Sequence, residues 1–130
     1  MDKKYAYLAA DETLKLLAID SPSGFTEKAA AWVCGRFSEL GYEARRTVKG
    51  GVLVDFGGDN ASDALLLEAH VDTLGGMVCE IKNNGRLKIT NIGGLNANNT
   101  ETENVRVYTR GGGVIEGTFQ LENCLLYTSD

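Results

Sequence analysis

Leu65-Leu66-Leu67-Glu68-Ala69-His70-Val71-Asp72-Thr73-Leu74-Gly75-Gly76 carries an apolar run straight into the single histidine of the 130-residue chain, with an aspartate two residues later. The apolar stretch at 64–67 is short, continuous and bounded by polar residues. That pattern predicts a strand over 64–69 covered on both faces, as in the parallel sheets of α/β proteins. His70 then stands where the strand ends. In open α/β sheets ligands and metals bind at the carboxyl ends of the strands, where the loops converge on a crevice.

A His-x-Asp at such a place has two readings. Neutral imidazole is a good ligand for zinc or cobalt, and a nearby carboxylate that accepts the proton of the other ring nitrogen fixes the tautomer and makes the ligand more basic. His70 would hold the metal and Asp72 would orient it. Alternatively, His70 is a strand-end histidine bonded to backbone. The dipeptide spacing alone leaves both open.

On the amino-terminal side, Tyr5, Leu8, Leu14, Leu17 and Ala18 fall near helical spacing and predict a helix over 4–19, stopped by Ser21-Pro22 because proline disfavours helical geometry in the residue before it. Thr26 is placed to cap a second helix over 26–40, with Ala30, Val33, Cys34 and Phe37 as its inward stripe and Gly41 as terminator. Ser21-Pro22-Ser23-Gly24 reads as the connection between these helices and receives no site assignment. Residues 42–48 and 52–56 are β-rich and flank Lys49-Gly50-Gly51, a hairpin signal. The two helices are expected to pack on a sheet containing 52–56 and 64–69.

Beyond Gly76 the texture changes. Segments 77–82, 86–92, 105–109 and 114–119 read as short strands between Asn-Gly or Gly-rich turns, the texture of a β-meander or barrel. Asn83-Asn84-Gly85 is the strongest of the hairpin signals, since both residue types tolerate positive φ. A domain boundary at 75–76 follows, and 96–104 reads as a polar loop.

Composition narrows the function classes. A 43% hydrophobic and 24% charged content is that of an ordinary globular chain. No run approaches the roughly 18 apolar residues of a membrane span. Net charge is −5 with scattered basic residues, so no nucleic-acid footprint is expected. No secretory leader pattern opens the chain, and the expected location is cytoplasmic. Cys34, Cys79 and Cys124 lack any Cys-x-x-Cys pairing and predict free, mostly buried thiols. The glycine pairs lack the following helix that a phosphate-binding loop requires.

Several segments in order and spacing resemble one family: Ser21-Pro22-Ser23-Gly24-Phe25 after a first helix, Ala69-His70-Val71-Asp72-Thr73-Leu74-Gly75-Gly76-Met77-Val78, Ile81, Asn84-Gly85-Arg86-Leu87, Ile92-Gly93-Gly94 and Ile115-Glu116-Gly117-Thr118. The chain resembles the dinuclear metallo-aminopeptidases that assemble as tetrahedral dodecamers, the glutamyl and leucyl aminopeptidases sometimes labelled endoglucanases. Gly50-Gly51 stands where that family often has Gly-Asn, and Thr73 where some members have glutamate. The resemblance implies an α/β fold in which 1–76 is the first part of a catalytic α/β sandwich domain and 77–120 the start of an inserted antiparallel β domain. It implies a longer protein, of which these residues are an amino-terminal fragment.

The resemblance also implies peptide substrates cleaved at their amino termini by a metal-activated water, two divalent ions (zinc or cobalt), and a homo-oligomer without nucleic-acid or membrane partners. His70 is the implied metal ligand and Asp72 the implied catalytic-site carboxylate that orients it. Further ligands and the general base have no counterpart assigned here, and Glu68 and Glu80 are not assigned. With one ligand present, the chain alone is expected to be inactive. A related co-catalytic zinc carboxypeptidase or dipeptidase, or a non-catalytic assembly fragment, are the alternatives. Residues 121–130, ending Cys124-Leu125-Leu126-Tyr127-Thr128-Ser129-Asp130, read either as non-native sequence or as a terminal strand.

Overall fold

The computed structural model describes residues 3–60 and 62–121. The architecture is α/β, with two helices followed by three two-stranded antiparallel hairpins. Two compact units meet in the chain between Gly75 and Gly76.

In the first unit, α1 spans Lys3–Leu17 and α2 spans Glu27–Glu39. Thr26 occupies the position before α2, but its hydroxyl makes no capping bond. At the other end the helix closes as expected from Gly41. That residue takes φ +87°, and the N–H groups of Gly41 and Tyr42 donate to the carbonyls of Ser38 and Phe37. This pair of reversed bonds is the Schellman closure, which satisfies helix-end carbonyls and favours glycine at the left-handed position. The turn aims Tyr42 back at the helix, where Tyr42 and Phe37 both meet the Phe56 ring edge-on, with centroids 5.0 and 5.7 Å away.

The residues of α1 that face α2 are not the ones whose spacing marked the helix. Glu12, Thr13 and Leu16 line a groove of about 250 Å³ with Trp32, Val33, Arg36, Phe37 and Leu40 of α2. Tyr5, Leu8, Leu14 and Leu17 are exposed instead. The helices are tied by a two-pronged ion pair, Arg36 Nε to Glu12 Oε2 at 2.6 Å and Nη2 to Oε1 at 3.1 Å, the fork geometry that suits guanidinium and carboxylate. The Arg36 hydrogen bond draws the Glu12 carboxyl below its ordinary range.

β1 (Ala44–Arg46) and β2 (Val52–Val54) pair antiparallel beneath α2, with Arg45 opposite Leu53. Residues 64–69 do not join them. The expected central strand has no strand pairing, and Leu65, Leu66 and Leu67 are 84, 71 and 76% exposed. The reason is that a strand is not self-sufficient. Its N–H and C=O groups need a neighbour and its apolar faces need a cover. The short hairpin β1–β2 supplies neither, and among the described residues Ala29, Ala30 and Ser21 alone are fully buried.

The second unit follows its pattern closely. β3 (Gly75–Ile81) pairs with β4 (Leu87–Ile92), and β5 (Asn104–Tyr108) pairs with β6 (Val114–Thr118). The loop at 96–104 contains one turn of 3-10 helix, Ala97–Asn99, started by the Asn96 side chain accepting from the Asn98 N–H. All three hairpins close alike. Thr47, Lys82 and Thr109 each donate an N–H to the carbonyl four residues on and accept one from the residue three on, which is Gly50, Gly85 or Gly112 at φ +81 to +86°. That left-handed site is disfavoured for any residue with a Cβ by about 1 kcal/mol or somewhat more. Gly85→Ala is therefore expected to loosen the β3–β4 hairpin by about 1 kcal/mol, seen as faster exchange of the Gly85 and Lys82 amides.

Of the thiols, Cys34 is half-buried and Cys79 is exposed, its Sγ 3.4 Å from the Lys88 carbonyl. The expectation of mostly buried thiols therefore fails at Cys79, which is exposed on strand β3 of a two-stranded hairpin. Cys124 and the tail from residue 122 lie outside the described residues.

Candidate metal-ligand site

The His-x-Asp is held by the connection between the helices. Ser21 accepts a hydrogen bond from the Thr73 N–H at 2.8 Å, and Pro22 and Thr73 form a parallel bridge. Two residues on, Gly75 lies so close to the Pro22 ring that a Cβ placed there would be 2.6 Å from the Pro22 Cβ. Ser23 and Gly24 then form a tight turn, closed by the Phe25 N–H on the Pro22 carbonyl at 2.8 Å, with Gly24 at φ +85°. Positive φ in the third position of such a turn favours glycine. The turn brings the Ser23 hydroxyl to Asp72, and Ser23 Oγ donates to Asp72 Oδ2 at 2.5 Å.

The other carboxylate oxygen faces the histidine. His70 Nδ1 is 3.1 Å from Asp72 Oδ1 and 3.0 Å from the Asp72 carbonyl oxygen. Both are acceptors, so Nδ1 carries the proton and, in the neutral ring, Nε2 carries the lone pair. The His70 side chain is 86% exposed and that of Asp72 43%. The Ser23 hydrogen bond, and after it the hydrogen bond and charge of His70, hold the Asp72 carboxyl below its ordinary range, while partial burial acts in the opposite direction.

His70 and Asp72, the residues singled out in the sequence, are thus in contact. Ser23 is the member that sequence reading passed over. Its only advance signal was its place in a Ser-Pro-Ser-Gly turn, and a contact across 49 positions has no period to betray it. Glu68 is exposed, and Glu80 faces Lys88 at 4.0 Å. Among the described residues no three His, Cys, Asp or Glu side chains gather as a metal-binding group. His70 Nε2 therefore fits one position of a metal site, and the described residues do not complete a coordination sphere.

The family model of the M42 glutamyl aminopeptidases matches residues 50–130, which is more than half of the chain. The chain belongs to the M42 glutamyl aminopeptidase family. It is 40% identical over 104 residues to YhfE of Bacillus subtilis (strain 168), which is named as an aminopeptidase, covering 80% of this chain and 30% of that protein. It is 30% identical over 104 residues to the glutamyl aminopeptidase of Lactococcus lactis subsp. cremoris (strain MG1363), covering 78% of this chain and 29% of that protein. The M42 chain described here thus spans less than a third of the length of these curated relatives. No helix among the described residues is long and apolar enough to cross a membrane.

Proposed function

We propose that this chain carries one metal-ligating position of a metal-dependent aminopeptidase, with His70 as ligand through Nε2 and Asp72 as the carboxylate that orients it. The observation that carries the reading is the pair of oxygen contacts at His70 Nδ1. With Nδ1 spent on two Asp72 oxygens, the exposed Nε2 is left with a lone pair, as metal-bound imidazole requires. Divalent ions such as zinc or cobalt, when bound, polarise the scissile carbonyl and acidify water toward neutral pH. This chain's residues hold the proton on Nδ1 and fix the ring plane.

Residues 1–76 are then the first part of the catalytic α/β domain and 77–120 the start of an inserted β domain. The hairpins β3–β4 and β5–β6 and the family membership support this division. The substrates are peptides with a free amino terminus, and the complete protein acts as a cytoplasmic homo-oligomer. The exposed leucines at 65–67 favour the fragment reading, since a membrane-free protein seldom leaves such a run uncovered.

The test compares two lengths. Titrated with zinc, the 130-residue chain is expected to bind a single ion weakly, moving the His70 ring resonances, and to cleave no aminoacyl substrate, because tight sites take three or four protein ligands. A protein of the relatives' full length carrying these residues is expected to cleave amino-terminal residues and to stop when the metal is chelated. Two-ion stoichiometry in the short chain, or cleavage by the long one that survives exhaustive chelation, would overturn the reading.

A further inference from the structure

We infer that Ser23 is a positioning residue for this centre: by donating to Asp72 Oδ2 it turns Oδ1 onto His70 Nδ1 and thereby selects the imidazole tautomer whose Nε2 is free to ligate. The inference rests on the reading of His70 as a ligand and extends it to a residue on a different element, 49 positions away.

The argument begins with the carboxylate. The terminal torsion of an aspartate is broad and roughly two-fold, so a half-exposed carboxylate does not by itself keep one oxygen on a neighbour. A charge-assisted hydrogen bond at the far oxygen removes that freedom. The 2.5 Å Ser23 Oγ to Oδ2 contact supplies it, and Oδ1 is left 3.1 Å from His70 Nδ1. The hydroxyl is in turn fixed by backbone. Ser21 is bonded to Thr73, Pro22 is bridged to Thr73, and Gly24 closes the turn at φ +85°. Each residue of Ser21-Pro22-Ser23-Gly24 therefore has a separate task, and Ser23 performs its task through a side-chain hydrogen bond. A connection serving merely to join two helices would not need a hydroxyl there.

His70 is the one histidine of the chain, so long-range ¹H–¹⁵N spectra of the imidazole report its tautomer without overlap. The experiment uses the full 130-residue chain, metal-free, above the ordinary titration range of imidazole. The unaltered chain is expected to show mainly the Nδ1–H form. Because the Asp72 carbonyl 3.0 Å away still accepts from Nδ1, Ser23→Ala should lower the share of that form while the Thr73 amide keeps its slow exchange, Ser23→Thr should restore it, and Asp72→Ala should lower it at least as far without removing it. An unchanged tautomer ratio in Ser23→Ala would overturn the inference. So would the same loss in Ser23→Thr accompanied by a fast-exchanging Thr73 amide, which would make the role one of backbone support. Zinc added to the unaltered chain separates the two claims. A His70 Nε2 resonance that zinc does not move counts against the ligand reading, whereas the tautomer ratios decide the role of Ser23 without any metal.

Discussion

Asp72→Asn, in a protein of the relatives' full length carrying these residues, is expected to leave the fold intact and to lower metal affinity or turnover by about 10- to 100-fold, the usual cost of losing a carboxylate that orients a metal-bound histidine. The amide keeps the size of the carboxylate but has one acceptor oxygen and one donor nitrogen. Ser23 and His70 now both present donors to the two ends of that group, so one of them must face an NH₂. If the oxygen goes to Ser23, the amide donates toward His70 and favours the tautomer with the lone pair on Nδ1, which leaves Nε2 protonated. The Asp72 carbonyl still accepts from Nδ1 at 3.0 Å, which is why the loss is partial. Calorimetric zinc titration beside a peptidase assay checks it, and unchanged affinity together with unchanged turnover would reject the role of Asp72.

Gly75→Ala is expected to destabilise the first unit by about 1–3 kcal/mol, the range for adding atoms where there is no space. The new Cβ would be 2.6 Å from the Pro22 Cβ and 3.4 Å from its Cγ. A pyrrolidine ring cannot rotate away, because φ is locked by the ring itself. Relief has to come from separating residue 75 from Pro22, which strains the Thr73 N–H to Ser21 bond and draws Ser23 away from Asp72. Urea unfolding measures the first effect, and the His70 tautomer signal measures the second. Gly41→Ala is the contrast, since its Cβ meets nothing within 4 Å and only the left-handed φ is penalised.

Local chemistry was legible from the residues alone. Helices α1 and α2, the stop of α2 at Gly41, and the four strands from Gly75 onward follow from apolar period and glycine, because these signals act within a few residues of themselves, although α1 ends at Leu17, before the Ser21-Pro22 that was expected to stop it. The three glycine turns are of the same kind. The proximity of His70 and Asp72 is also short-range, a separation of two positions. The outcome at 64–69 was not legible. Its apolar run encodes a demand for neighbours on both edges and both faces, and whether the demand is met depends on what else is folded around it. In this structure Leu65, Leu66 and Leu67 remain in solvent. The face of α1 behaves likewise, since the ion pair of Glu12 with Arg36 turns Leu16 inward and leaves Leu14, on the far side of the helix, outside. Tertiary structure alone decided that Ser23 reaches Asp72. That contact is made by the Ser21–Thr73 hydrogen bond and the clearance at Gly75, and both join segments with no shared sequence pattern.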